Sequence, residues 1–258
     1  VIHLAARTDL DGRSLSDYAA NTDGVRTLVR VVADTPSVER VVYTSSQLVC
    51  RVGYIPQNDL EFCPNTVYGE SKVMTESIVR ELDGGGKAWC LIRPTTIWGA
   101  GMNTHYQNFF RLVASNRYFF VSRKPLFKTY GYVGNAVYQL NKIAEAPWEQ
   151  VHGKVFYLAD YEPLALRSWI MTIQRELGAR PIPSIPLFLA RILAMMGDMM
   201  NKVGYSSFPF NSFRLKNILT EYQFDMKKTE ALCGPLPYRM EDGVKALVKW
   251  IRAEILGS

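Results

Sequence analysis

Tyr68 and Lys72 stand four residues apart in the run Tyr68-Gly69-Glu70-Ser71-Lys72, a spacing that puts both side chains on one helical face. An ammonium held beside a phenol favours the phenolate and draws its pKa down from about 10. Such a tyrosine can give or take the proton of a substrate hydroxyl as a general acid or base. Ser46, at the end of Tyr43-Thr44-Ser45-Ser46, adds a hydroxyl able to hold the same substrate oxygen in line. The three together predict proton transfer at an alcohol or a carbonyl. A second pair at the same spacing, Tyr138 and Lys142, has no serine-rich strand end upstream and reads as a helix-surface pair.

For the three groups to meet, strands and helices must bring them to one edge of a sheet. Val1-Ile2-His3-Leu4, Arg40–Tyr43, Ala88–Ile92 and Val155–Leu158 are short, nearly continuous apolar runs, the pattern of parallel strands covered on both faces. Helical periodicity fills the intervals: about 14–33, then 66–82 closed by Gly84-Gly85-Gly86, then 135–145, with a final amphipathic stretch over 240–255. Alternating strands and helices predict an α/β fold with a doubly wound parallel sheet, Rossmann-like. Ligands bind such sheets beyond the carboxyl ends of the strands. Ala5 and Ala6, Thr44 to Ser46, and Pro94-Thr95-Thr96 occupy those ends.

Two further expectations concern organisation. The aromatic-rich stretch 99–128 interrupts the alternation, and beyond Pro163 the pattern is mostly helical. Residues 1–98 and 129–160 are therefore expected to form the dinucleotide-binding part, and 99–128 with 161–258 a smaller, mostly helical substrate lobe. The chain opens on Val1 inside a strand, and a sheet starting there would expose a hydrophobic edge. The sequence thus reads as N-terminally incomplete, lacking the sheet's first strands. Expressed as it stands, it is expected to fold poorly and to bind no dinucleotide.

Composition narrows the function classes. A net charge of +6 is scattered, without a long Lys/Arg block, and predicts no nucleic-acid partner. Four cysteines without C-x-x-C spacing and only three histidines predict no metal site and a reduced, cytoplasmic chain. No signal peptide is read at the start. The longest apolar run, Ile185–Met200, contains Arg191 and Asp198 and is too short and charged to span a bilayer. It reads as a buried or cleft-lining helix, with contact at a membrane surface the minor alternative.

At this point the sequence resembles the extended short-chain dehydrogenase/reductases, in particular the NAD-dependent epimerase/dehydratase family. Val1–Ala6 looks like the family's fourth strand, and Asn21-Thr-Asp-Gly24 is similar to its Asn-x-x-Gly helix motif. Tyr43-Thr-Ser-Ser46, Tyr68 with Lys72, and Arg93-Pro-Thr-Thr-Ile-Trp-Gly99 resemble the catalytic segments and the stretch beside the nicotinamide. Tyr130-Gly-Tyr-Val-Gly-Asn135 and the closing helix Tyr238–Ile255 also match. The resemblance implies NAD or NADP as cofactor, Tyr68 as acid/base, and Lys72 as tuner and ribose ligand, while Ser46 orients the reacting hydroxyl. It implies a cofactor set of Leu4, Ala5, Ala6, Asn21, Ser45, Tyr68, Lys72, Pro94 and Thr95. For the substrate it implies Ser46, Gln47 and Thr96, with Lys128 and Arg214 as phosphate ligands. A homodimer through the Tyr68-bearing helix is a family expectation.

The sequence departs from the family in places. G-x-x-G-x-x-G is absent, and so is the segment that would choose between NAD and NADP. Gln47-Leu48 stands where sugar dehydratases carry Asp-Glu, which argues against water elimination. The first reading is a nicotinamide-dependent nucleotide-sugar epimerase or related sugar oxidoreductase. Alternatives are a dehydrogenase or reductase of an apolar ketone or alcohol, steroid- or flavonoid-like, and a non-catalytic dinucleotide-binding relative. The Met- and Phe-rich lobe (Phe109, Phe110, Phe119, Phe120, Met195, Met196, Met199 and Met200) would suit the apolar ligand, or would simply be core.

Overall fold

The computed structural model describes residues 1–102, 104–122, 124–202 and 210–255. The chain divides into two compact units. One comprises Val1–Ile97, Thr129–Tyr161 and Phe224–Pro237; the other comprises Trp98–Lys128, Glu162–Gln223 and Tyr238–Ser258.

The first half of the chain runs β1 (Ile2–His3), α1 (Asp23–Ala33), β2 (Arg40–Thr44), α2 (Val67–Glu81), the glycine turn α3 (Asp83–Gly86), β3 (Ala88–Pro94) and β4 (Thr96–Trp98). There follow α4 (Thr104–Ala114), β5 (Phe127–Lys128), β6 (Tyr130–Tyr132), α5 (Val133–Glu145), α6 (Trp148–Val151) and β7 (Val155–Leu158). The last part holds β8 (Leu164–Ala165), α7 (Leu166–Leu177), α8 (Leu187–Lys202), α9 (Ser212–Leu219), α10 (Lys227–Cys233) and α11 (Met240–Trp250).

The first unit is built on a parallel sheet in the order β1-β2-β3-β7, with Ile2 opposite Val42, Val42 opposite Cys90 and Ile92 opposite Phe156. Its strands are apolar at successive positions because both faces are covered. Val41, Tyr43, Trp89 and Leu91 pack with Val25, Val29 and Val32 of α1 and with Ile78 and Val79 of α2. Val42, Cys90, Ile92 and Phe156 pack on the other face with Leu140 and Ile143 of α5. Each fully buried side chain of this size stabilises by about 1.5–3 kcal/mol. β1 forms the sheet edge in this chain, and Val1, Ile2 and Leu4 are exposed there. The doubly wound parallel fold read from the apolar runs is the fold observed.

Two expected elements differ. The helix predicted over 14–33 is a 3-10 segment, Leu15–Asn21, followed by α1, with a kink at Thr22. Asn21 causes the break: its carbonyl accepts from Thr75 Oγ1 at 2.6 Å, and its amide is tied to Arg7 and Ser71. Phe224–Pro237 groups with the first unit instead of with the rest of 161–258. Tyr138 of α5 donates to the Cys233 carbonyl at 3.0 Å, and Thr229 donates to the carbonyl of Tyr157 on β7 at 2.8 Å.

In the second unit α7 packs on α11 and α8 on α9, and β5 pairs antiparallel with β8. A small apolar core joins Val121, Ala190, Ala194 and Leu215, with Phe119, Ile185 and Phe210 against it.

Candidate active site

β2 ends at Thr44 and hands the chain to Ser45 and Ser46. Ser46 keeps extended backbone and caps the short turn Gln47–Val49, its Oγ accepting from the Leu48 N–H at 3.1 Å. α2 begins where Thr66 Oγ1 accepts from Gly69 N–H at 3.0 Å, an N-cap that satisfies one of the helix's free donors. Gly69 then permits a close approach: a Cβ there would lie 2.3 Å from the Leu48 carbonyl oxygen. Helix and turn come together at a residue without a side chain. As a result the Ser46 hydroxyl lies near enough to the Tyr68 phenol to draw its pKa downward. Lys72 Nζ sits 6.0 Å from the centre of the Tyr68 ring and donates to the Thr44 carbonyl at 3.0 Å. Hydroxyl, phenol and ammonium therefore share one neighbourhood at the carboxyl end of β2.

All three side chains are buried, and burial disfavours charge. It raises the Tyr68 phenol above its ordinary range, with the nearby Ser46 hydroxyl pulling partly back. It lowers Lys72 to about 8, opposed by the Glu76 carboxylate. Burial therefore works against the phenolate that the spacing predicted, and the Lys72 ammonium directs a hydrogen bond to the Thr44 carbonyl. His3, at the end of β1, is held below the usual imidazole range by burial and then by Lys72. Its Nδ1 and the Thr44 Oγ1 are buried without a hydrogen-bond partner.

Behind this group lies a network that sequence reasoning passed over. Arg93 donates Nε and Nη2 to the two oxygens of Glu76 at 2.8 and 2.9 Å, and Ser45 Oγ donates to the same carboxylate at 2.6 Å. Arg93 also donates to the Asp59 carbonyl at 2.8 Å. Tyr68, Lys72, Glu76 and Arg80 recur every four residues, so the signal was the continuation of one helical face.

The other sequence-predicted residues are placed as follows. Ser45 is bound to Glu76. The Asn21 side chain is fully used in tying the Arg7 backbone to Ser71. Thr95 donates its N–H and its hydroxyl to the Leu158 carbonyl at 3.1 and 3.2 Å. Leu4 and Ala5 are exposed, while Ala6, Gln47, Pro94 and Thr96 are half-buried. Lys128, in the second unit, is buried, donates to the Asn217 carbonyl at 2.6 Å and is lowered to about 8 by desolvation. Arg214 is half-buried in the first turn of α9. Lys142 lies over the Tyr138 ring at 5.6 Å on α5, a helix pair remote in sequence from the Ser46 strand end.

Comparison with known proteins follows the same lines. The chain is 26% identical over 97% of its length to the N-acetyl-alpha-D-glucosaminyl-diphospho-ditrans,octacis-undecaprenol 4-epimerase of Escherichia coli O157:H7, and spans 76% of that protein. It is 29% identical over 72% of its length to a 3-beta-hydroxysteroid dehydrogenase of Mycolicibacterium neoaurum, and spans 54% of it. Among solved structures, UDP-glucuronic acid 4-epimerase from Bacillus cereus in complex with NAD shares the fold at a TM-score of 0.70 and 12% identity, covering 96% of this chain and 72% of that one. RMD from Pseudomonas aeruginosa complexed with NADPH does so at 0.70 and 13%, covering 98% and 81%. The profile of the 3-beta hydroxysteroid dehydrogenase/isomerase family matches residues 1–189. The chain belongs to that family, within the extended short-chain dehydrogenases/reductases.

Proposed function

We propose that this chain carries the proton-transfer centre of an NAD(P)-dependent epimerase acting on a sugar joined to a diphosphate, with a nucleotide sugar as first candidate. The observation that carries the reading is the convergence of Ser46, Tyr68 and Lys72 at the carboxyl end of β2, with Lys72 Nζ 6.0 Å from the Tyr68 ring and anchored on Thr44. The near full-length similarity to an epimerase of a diphosphate-linked sugar supports the substrate class. The first unit is the dinucleotide half and the second the substrate half. Free cysteines throughout the described residues accord with a reducing, cytoplasmic setting, and pairing through α2 is the expected dimer contact.

The residues at the sheet's carboxyl edge suit a nicotinamide nucleoside: two partnerless buried polar atoms, His3 Nδ1 and Thr44 Oγ1, lie on adjacent strand ends, with Lys72 donating at the second. Bound there, the nicotinamide would supply and accept hydride. The chain's own residues handle the proton. Tyr68, in the fraction that has first lost its own proton to solvent, takes one from the ring hydroxyl as the carbon is oxidised and returns it to the carbonyl oxygen once the sugar has turned its other face. Ser46 hydrogen-bonds the same oxygen. Lys72 sets the local field and anchors to Thr44, so the phenol keeps its place between strokes.

A second reading, a dehydrogenase of an apolar secondary alcohol, is favoured by the family profile and the steroid dehydrogenase relative. The two separate in one experiment, in which UDP- and dTDP-sugars and a 3-hydroxysteroid are each incubated with cofactor. The epimerase reading expects a new sugar epimer by NMR without net cofactor reduction. Net reduction with the steroid alone, and no thermal shift with any nucleotide sugar, would replace it with the second.

A further inference from the structure

Two cysteines bracket the loop that runs from Ser46 to Tyr68. Cys50 closes the turn that follows Ser46, and Cys63 stands three residues before Thr66, the cap of α2. An isolated parallel bridge sets the two directly opposite one another. Its hydrogen bonds run from the Cys63 N–H to the Val49 carbonyl at 3.0 Å and from the Arg51 N–H to the Cys63 carbonyl at 2.7 Å. Extended segments paired in this way lie about 4.8 Å apart, inside the range of about 4.4–6.8 Å between Cα atoms that a disulfide spans. Directly opposed residues also project to the same side of a ladder. The sulfurs follow that rule. Cys50 Sγ donates to the carbonyl of Glu61, two residues before Cys63, at 3.4 Å. Cys63 Sγ accepts from Nη1 of Arg51, the residue after Cys50, at 3.2 Å. Each thiol reaches across to the other's segment.

The two thiols are unequal in the manner of a reacting pair. Cys50 is 2% exposed, and burial raises its pKa, with the Cys63 N–H drawing it partly back. Cys63 is half-buried and carries the Arg51 guanidinium on its sulfur. A cationic, partly exposed surrounding is where thiols meet oxidants, and sensing cysteines stand beside a second thiol that resolves them. Cys90 and Cys233, 1% and 4% exposed, have no such access. A sulfenic acid formed at Cys63 therefore has the Cys50 thiol facing it across the bridge. In reducing compartments disulfides are transient and redox-sensing, and exposed ones are the labile kind.

We infer that Cys50 and Cys63 form a reversible dithiol–disulfide switch, closed by hydrogen peroxide, that fastens the segment leaving Ser46 to the segment entering the Tyr68 helix. Peroxide converts the Cys63 thiol to a sulfenic acid as its O–O bond breaks and one water leaves. The Cys50 sulfur then displaces the sulfenic hydroxyl as a second water, so two thiols give two electrons and two protons to one peroxide. The switch is read from the covalent state of the chain and holds for either substrate reading. Its test treats the whole chain with hydrogen peroxide, alkylates the remaining thiols and digests with trypsin. Cleavage after Arg51 separates 41–51, which holds Cys50, from 52–72, which holds Cys63, so the two peptides travel together only when bonded. The joined pair is expected in the mass spectrum, and dithiothreitol should release it. C50S should stop at a Cys63 sulfenic acid that dimedone traps, and C63S should give neither product. Amide exchange over 48–51 and 61–64 should slow about tenfold or more on closure. Advance of Cys63 to sulfinic acid without joined peptides overturns the inference, as does a bond that links two chains instead of one. Closure with unchanged amide exchange overturns it too, since the bond would then fasten nothing.

Discussion

Arg93 and Glu76 face one another through two parallel hydrogen bonds, at 2.8 and 2.9 Å, with both side chains fully buried. The pair joins β3 to the middle of α2, and Ser45 brings the end of β2 to the same carboxylate. Three elements that must hold Ser46, Tyr68 and Lys72 in register are thus fixed by one ion pair below the site. Neither Arg93 nor Glu76 is placed to touch a reacting oxygen; both act through the helix and strand that they fasten.

Breaking this buried pair from one side costs about 3–5 kcal/mol, the lower end for loss of Arg93, since Arg80 still faces Glu76 at 3.6 Å. R93M and E76Q are each expected to lower the unfolding free energy, measured by urea denaturation, by that amount. The double replacement should cost less than the two single costs combined, because no lone charge remains. Equal and additive losses would show that the two side chains act independently.

Gly69 gives the second prediction. A Cβ there would sit 2.3 Å from the backbone oxygen of Leu48, and backbone cannot swing aside as a side chain can. G69A is expected to push α2 off the Gln47–Val49 turn, costing about 1–3 kcal/mol and moving Tyr68 away from Ser46. Turnover measured well below the melting temperature should fall by more than the loss of folded protein explains. E70A, at the exposed neighbouring position, should leave both quantities near their starting values.

The sheet and its order of elements were legible because burial on both faces writes a continuous apolar run, and β2, β3 and β7 carry one. Tyr68 and Lys72 were legible because their spacing is that of a helix. Less could be read of what lies between elements. The kink at Thr22 depends on Asn21 bonding to Arg7 and Ser71, partners brought near only by folding. The direction of the Tyr68 shift was missed for a related reason. Spacing told of the ammonium, whereas the depth of burial, which decides the sign, is a property of the packed molecule. α8 was read mainly as core from its composition, and composition does not say which way Met195 and Met199 face; both are exposed.

In the proposed mechanism Tyr68 is the group on which the chemistry turns. Y68F removes the exchangeable proton while keeping the ring against Tyr18, whose centroid is 5.9 Å away. Turnover should drop by about 10²–10⁴ with the melting temperature little changed. Because burial raises the phenol, it stays protonated through neutral pH. Carbonyl reduction should therefore be supported at neutral pH, and alcohol oxidation should climb as the medium becomes alkaline. A pH profile of each direction checks the sign, and identical flat profiles would remove Tyr68 from its role.

Lys128 carries the last prediction, on stability. Desolvation lowers it from 10.5 to about 8 in the folded protein. Between those two values the unfolded chain binds the extra proton, so raising the pH favours the folded state. The penalty of burying the ammonium is complete below pH 8 and vanishes by about 10.5. At about 1.4 kcal/mol per pH unit, the full penalty amounts to about 3–3.5 kcal/mol, most of it relieved between pH 7.5 and 10.5. K128M abolishes this titration and also removes the donor to the Asn217 carbonyl, a loss that is the same at every pH. The difference in unfolding free energy between parent and variant should therefore change by 2–3 kcal/mol across this window, the parent gaining on the variant as the pH rises. Other buried groups titrate in both proteins and cancel. A difference constant from pH 7.5 to 10.5 would mean that Lys128 keeps an ordinary pKa, with its ammonium solvated.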